Sequence, residues 1–183
     1  MGTWTLDPLH TQVEFSAKHF GMMTVRGNFT EVSATGDVYP DQPQRSTIEV
    51  TINVASIRTH NEQRDNDLRS SYFLEVEKYP RITFKSTKIE PKGPDRGTMA
   101  GDLTIKGITK PVTLNVVKYG EFNDPQMGHR IGYAAETKIN RKDFGMSFDA
   151  MVDGKFVVSH DIQINIEGEL VELAKRAEAG AKA

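Results

Sequence analysis

"TIEVTINVASI" (Thr47–Ile57) is the stretch whose reading decides the fold. Ile48, Val50, Ile52 and Val54 share one parity; Thr47, Glu49, Thr51 and Asn53 share the other. A period of two sends successive side chains to opposite faces of a strand, so this segment has one apolar and one wet face. The same rhythm runs upstream. In "TQVEFSAKH", Val13, Phe15, Ala17 and His19 alternate with polar residues. In "TVRGNFTEVSATGDVY", Val25, Gly27 and Phe29 are followed by Val32, Ala34, Gly36 and Val38 on the other parity. A switch near Thr30 and Glu31 predicts a bulge or bend.

Downstream, Ile82 and Phe84 alternate in "RITFKSTKI", and Met99, Gly101, Leu103 and Ile105 in "TMAGDLTIKG". Val112, Leu114 and Val116 follow, then Ile131, Tyr133, Ala135 and Ile139, and last Val158, His160, Ile162, Ile164 and Ile166. Turn signals separate these runs: "KGPDRG", "KGITK", "NDPQMG" and Asp153-Gly154. The rhythm breaks once. In "RTHNEQRDNDLRSSYF", Thr59 and Glu62 have capping-box spacing, which predicts a short surface helix over 61–69. An irregular segment then runs to Pro80. About eight alternating strands at short intervals make an all-β barrel or sandwich. Residues 1–170 read as one domain. The alanine-rich, charged 171–183 read as a frayed or disordered tail.

Composition bounds the function. The chain has 183 residues, long enough for a sizeable core, and a formal net charge of -2 with acids and bases interspersed, which gives nucleic acid and anionic membranes nothing to attract. There is no cysteine, which removes disulfides, thiolate metal sites and cysteine nucleophiles together. No apolar run approaches the ~20 residues of a membrane span, and no basic region followed by an apolar stretch opens the chain. These features predict a cytoplasmic protein that does not insert into membranes.

Catalytic and metal chemistry find candidates but no motif. The stretch "LDPLHTQVEFSAKHF" holds Asp7, His10 and His19. On one regular strand the two histidines would face opposite sides and could not share a metal. Asp7-Pro8 suits a turn whose carboxylate accepts from nearby backbone N–H groups. His60, His129 and His160 are scattered, and no H-x-x-x-H, H-x-H or H-E-x-x-H spacing occurs. Asp65, Asp67 and Asp143 have no context that marks them as acid or base. The expectation is no metal and no catalytic residue.

A closed eight-stranded barrel is just wide enough to be filled by its side chains or to hold one small ligand. This chain is poor in large fillers, with one Trp, five Tyr and nine Phe, and its Trp4 lies outside the clear strands. Its inward positions are mostly Val, Ile and Ala, with Gly27, Gly36 and Gly101 adding no bulk. Such a wall suits an elongated apolar cavity, although two packed sheets would use the same residues.

Several segments resemble, in order and spacing, the YceI-like family of lipid- or polyisoprenoid-binding bacterial proteins. They are "LDPLHTQVEF", "HF" at 19–20, "VRGNF" at 25–29, "ASIRT" at 55–59, "RDNDLRSSYF" at 64–73 and "YPRITF" at 79–84. "GDLTIKGITKPVTL" at 101–114 and "INRKDFGM" at 139–146 complete the set. The resemblance implies an extended, lipocalin-like, eight-stranded antiparallel barrel, often dimeric. Its tunnel would hold an isoprenoid or acyl chain with no further cofactor. Family members are commonly exported, a pattern from which this chain departs.

On that reading Val13, Phe15, Ala17, Phe29, Val50 and Ile52 line the tunnel, with Phe84, Leu103, Leu114 and Tyr133 opposite. His19 ends the same face. The D-x-x-H and R-x-D-F-G segments read first as structure, a turn, strand-end hydrogen bonds and a barrel plug; in the alternative, Phe144 packs against the ligand. His10 and Arg141 are candidate head-group contacts. The function expected is non-catalytic binding, storage or transport of a polyisoprenoid, quinone precursor or fatty-acid derivative. Two alternatives stay open: a lipid-modifying enzyme using His10, His19 or Asp143, and a filled barrel acting as a stress-response interaction module.

Overall fold

The structure, a computed structural model, describes residues 2–173. Strands β1 (Gly2–His19), β2 (Met23–Phe29), β3 (Val32–Val38), β4 (Glu49–Asn53) and β5 (Ile57–Arg58) precede helix α1 (Glu62–Arg69). Then come β6 (Arg81–Pro91), β7 (Arg96–Ile105), β8 (Ile108–Asp124) and β9 (Gly128–Asn140). A small hairpin of β10 (Met151–Val152) and β11 (Lys155–Phe156) leads to β12 (Asp161–Glu172).

Antiparallel pairs run in the order β12-β9-β8-β7-β6-β4-β3-β1, and β1 pairs back with β12, Val13 opposite Ile166. That last ladder closes an eight-stranded antiparallel barrel and decides against a sandwich. β2 and β3 both lie beside β1, β2 along its second half and β3 along its start, so they form one interrupted wall strand. The parity switch at Thr30 and Glu31 is that interruption.

Register gathers the turns at two ends. The loops 39–48, 92–95 and 125–127 share one end with Gly2 and Glu172. The turns 20–22 and 106–107, the segment 54–80 and the segment 141–160 share the other. This second end is closed. Phe73 and Leu74 from the segment after α1, and Phe144 and Met146 from beyond β9, are all buried in one cluster with Ile57 and Ile105.

Helix α1 belongs to that closure. Its N-cap is Asn61, whose side chain accepts from Arg64 N at 2.9 Å, and not Thr59 as the capping-box spacing suggested. Thr59 is buried, and it donates its N–H and its hydroxyl to Asp65 Oδ1 at 2.8 and 2.6 Å. Arg64 reaches back to Thr59, and Arg69 donates to the carbonyls of Ala55 and Ile57. The "RDNDLR" run is thus a clasp holding α1 to β5. Asp65→Ala is expected to cost about 2–3 kcal/mol, because it strands the buried Thr59 donors. Urea denaturation measures it, and a change under about 0.5 kcal/mol would place the clasp outside the folded core.

Three further expectations need correcting. Trp4 lies in β1 and is buried, packed with Val38 and Ile131. Val158 and His160 precede β12 rather than belonging to it. Val171 and Glu172 are the end of β12 and not a tail; residues 174–183 lie outside the described residues.

Candidate functional site

The inward faces enclose a cavity of about 400 Å³ that runs most of the barrel's length. Phe73, Leu74 and Met146 bound it at the closed end, while Pro40, Pro43, Pro91 and Pro94 bound it at the other. The closed-end residues are buried, whereas Pro91, Gly93, Pro94, Asp95 and Arg96 are exposed, so the cavity opens between the loops 39–48 and 92–95. Four rim prolines restrict the backbone there and favour a mouth that stays open.

Period-two alternation places the wall residues. Val13, Phe15, Ala17 and Phe29 line the cavity, as do Val50, Ile52, Phe84, Leu103, Leu114 and Tyr133. Two inward glycines work differently from the expectation. A Cβ at Gly27 would meet the Phe15 ring at 2.4 Å, and one at Gly101 would meet the Phe84 ring at 2.4 Å. These glycines do not widen the lumen by themselves. They let a neighbouring phenylalanine lie back over the sheet instead of projecting across the lumen. At Gly36 the space is taken by the main chain of Thr47, 1.9 Å from a built Cβ.

The remaining predicted residues lie elsewhere. His19 is exposed at the closed end, its ring 4.2 Å from that of Phe20. Its parity matches the apolar face, but the strand has by then run past the lumen to the β1–β2 turn. Phe144 is 1% exposed and packs into the closing cluster, not against the cavity. Arg141 does touch the cavity, at the closed end far from the mouth. Its guanidinium donates to the carbonyls of Ser159, Met146 and Val158 at 3.0, 3.0 and 3.3 Å. Burial lowers its pKa, offset by Asp149. Its donors face main chain, so it braces the plug. Asp143 is exposed and lies on the outside of the same turn.

His10 sits on a bulge of β1, where the register with β12 jumps between Leu6 and Thr11. Asp7 makes the expected turn, accepting from Leu9 N at 2.9 Å, and also faces His10 Nδ1 at 2.9 Å. Asp7, His10 and Glu169 hold ligand-type atoms within 4.8 Å of one another. Arg130 occupies the middle: its Nη1 lies 2.6 Å from Asp7 Oδ2 and 2.9 Å from Glu169 Oε2. A guanidinium between two carboxylates offsets part of their charge and orients them toward itself, which makes this an ion-pair clamp across β1, β9 and β12. Arg130 and then His10 hold the Asp7 carboxyl well below the usual range. A depressed carboxyl stabilises the fold above its unfolded pKa, near 4, and that contribution is lost as pH falls further. Asp7→Asn is therefore expected to lower the melting temperature at pH 7, with the gap to the parent shrinking below about pH 4. A gap that stays constant from pH 7 to pH 3 would remove Arg130 as the cause.

Residues that the alternation missed frame the mouth half. The bulge at 7–10 flips parity, so Trp4 and Leu6 face inward like Val13. "TWTL" alternates, and only the bulge hid its phase. Trp4 stacks edge-on against His129 at 4.9 Å, and its indole Nε1 has no partner among the described residues. Lys118 lines the cavity and is ion-paired with Glu121.

Comparison with known proteins gives a consistent picture. The profile of the YceI-like domain matches residues 4–170. Protein YceI of Escherichia coli O17:K52:H18 is 38% identical over 159 residues, 87% of this chain and 81% of that protein. The crystal structure of a Campylobacter jejuni YCEI protein superposes with a TM-score of 0.75 at 33% identity, covering 86% of this chain and 90% of the other. A polyisoprenoid binding domain from Saccharophagus degradans superposes with a TM-score of 0.70 at 14% identity, over 94% and 100% of the two chains, a likeness of fold alone.

Proposed function

Because this chain belongs to the YceI-like domain family, we propose that it binds a long apolar amphiphile of the polyisoprenoid class inside its barrel, and stores or carries that molecule without converting it. The observation that carries this reading is the continuous apolar cavity, closed at one end and open at the other. A chain pushed into it leaves water at about 0.8 kcal/mol per CH₂, so affinity grows with tail length and needs few polar contacts. The Saccharophagus domain of the same fold is described as polyisoprenoid-binding, which supports the ligand class. A non-catalytic role is supported by where the candidate acids and bases sit: His10 on an outer bulge, His19 beside the closed end, Asp143 exposed behind the plug. A quinone precursor and a homodimer belong to the same proposal.

Native mass spectrometry of protein purified from its own host, followed by organic extraction, tests it. The expected result is one prenyl lipid per barrel, recovered unchanged after incubation with the protein. Protein that carries no extractable lipid, and takes up none when offered polyprenol, overturns the binding reading. Lipid recovered in altered form overturns the carrier reading in favour of an enzyme.

A further inference from the structure

The cavity has a floor as well as a wall. Phe73, Leu74 and Met146 meet the lumen at its closed end, and all three are buried. Ile105 lines the lumen beside them and belongs to the same cluster. The floor is tied at several points. Arg141 donates to the Met146 carbonyl at 3.0 Å, and Leu74 N donates to the Leu68 carbonyl of α1 at 3.0 Å. Lys106, from the turn between β7 and β8, joins the two plug segments. Its Nζ lies 3.4 Å from the Ser71 carbonyl oxygen, 3.3 Å from that of Gly145 and 3.5 Å from Glu75 Oε2. The Phe73 ring is backed by that of Phe148, 5.1 Å away. A close-packed floor held in this way does not retreat before an incoming chain.

Depth then sets a length. Lining residues run from Arg96 to Ile105 on β7 and from Ile162 to Leu170 on β12. At about 3.3 Å per residue and a strand tilt of about 40°, these runs give a lumen about 20–23 Å deep. An extended carbon chain advances roughly 1.2 Å per bond, so a prenyl unit, with its four bonds along the chain, takes about 5 Å. The depth therefore admits about four or five units. The volume of about 400 Å³ gives a lower figure: at close to the ~30 Å³ that a water molecule occupies, it holds about thirteen carbons, or nearly three units. Both figures stop well short of a long polyprenyl tail.

We propose that the closed end measures the tail of the ligand: the lumen takes a prenyl chain of about three to five units, roughly fifteen to twenty-five carbons, whose last carbons rest on Phe73, Leu74 and Met146. This rests on the lipid-binding reading above and narrows its substrate class. Each unit that enters the lumen leaves water and adds to affinity. A unit beyond that length stays outside the proline rim, keeps its contact with water and adds nothing. The limit lies in the floor, because the apolar wall treats every unit of the tail alike.

The test uses the full chain, stripped of lipid, and a series of probes with one water-soluble head: the geranyl, farnesyl, geranylgeranyl, pentaprenyl, hexaprenyl and octaprenyl ethers of tetraethylene glycol. Each is kept below its critical micelle concentration, and affinity is read by displacement of a fluorescent fatty probe. Affinity is expected to rise at least about tenfold per unit from geranyl to geranylgeranyl, and octaprenyl to gain less than about threefold over pentaprenyl. Met146→Ala lowers the floor and is expected to move the plateau about one unit longer. Ile105→Phe raises it and is expected to move the plateau about one unit shorter, leaving geranyl within about twofold of the parent. A thermal melt shows that each variant is folded, and either variant alone suffices. A gain per unit that continues undiminished to octaprenyl in the parent protein overturns the proposal while leaving the lipid-binding reading intact. So does a folded Ile105→Phe variant that keeps the parent's plateau or weakens geranyl as much as geranylgeranyl. Failure of every probe to bind the parent protein overturns both.

Discussion

Replacing Arg141 with alanine is expected to remove about 3–5 kcal/mol of stability, an effect large enough to leave a domain of ordinary stability partly unfolded at body temperature. The side chain is 1% exposed. Its three donor nitrogens each reach a main-chain carbonyl of the plug: Ser159 and Val158 from the stretch before β12, and Met146 from the turn after β9. The stretch before β12 keeps only an isolated bridge from Val158 to His19 of β1, and the turn after β9 joins no ladder among the described residues, so the guanidinium adds bonds that a full neighbouring strand would make. Removing it leaves the buried Met146 carbonyl and the half-buried carbonyls of Ser159 and Val158 without this partner, and a cavity where the guanidinium lay. Lysine is expected to recover less than half of the loss, because one ammonium cannot reproduce a planar fork. Denaturant melts of the parent and both variants measure this. A loss under about 1 kcal/mol for Arg141→Ala would mean that the plug is held by apolar contacts alone, through Phe144 and Met146.

Filling the lumen is the second large effect. Ala135 sits at mid-height, level with Val116 on β8, Ile166 on β12, Val13 on β1 and Phe29 on β2. It is the smallest side chain of that ring and faces the cavity. Ala135→Trp places an indole in the cavity between the mouth and the closed end. The expected result is a loss of at least about 100-fold in affinity for a long prenyl alcohol, equivalent to roughly 2.7 kcal/mol. The cost to the fold is expected to be smaller, about 1–3 kcal/mol, because the side chain enters a cavity and not a packed core. Calorimetric titration alongside a thermal melt separates the two. Full affinity in a folded variant would put the ligand outside the barrel.

Much of the wall was legible from alternation alone. Ten of the expected wall residues, from Val13 to Tyr133, face the lumen, because parity within a strand is a local property that needs no knowledge of the neighbour. The failures cluster where a strand stops being regular. His19 kept the right parity but lay beyond the lumen, and Trp4 was hidden by a parity flip across the bulge at 7–10. Arg141 and Phe144 sit in the plug that their segment suggested first, and the alternative of ligand contact stayed open because a short motif gives composition but not the direction its turn takes. Thr59 had cap spacing, yet Asp65 claimed it, since a buried donor pair prefers a carboxylate to an exposed helix end.

The amino-acid sequence by itself determined an all-β chain with one helical interruption, the apolar face of each strand, and the absence of thiol chemistry. Each of these follows from residue type and spacing within a few neighbours. The residue periods left barrel and sandwich open and the family resemblance implied a barrel; the tertiary structure closes the sheet through the ladder between β1 and β12, whose partners Val13 and Ile166 are far apart in the chain. It alone decided which end is plugged, and that the phenylalanines of two strands lie back over glycines of the next. It also decided that Lys118, Glu121 and Tyr133 meet on one stretch of wall. Closure, plugging and the company a charge keeps are set by pairings between distant segments, and no local period carries them.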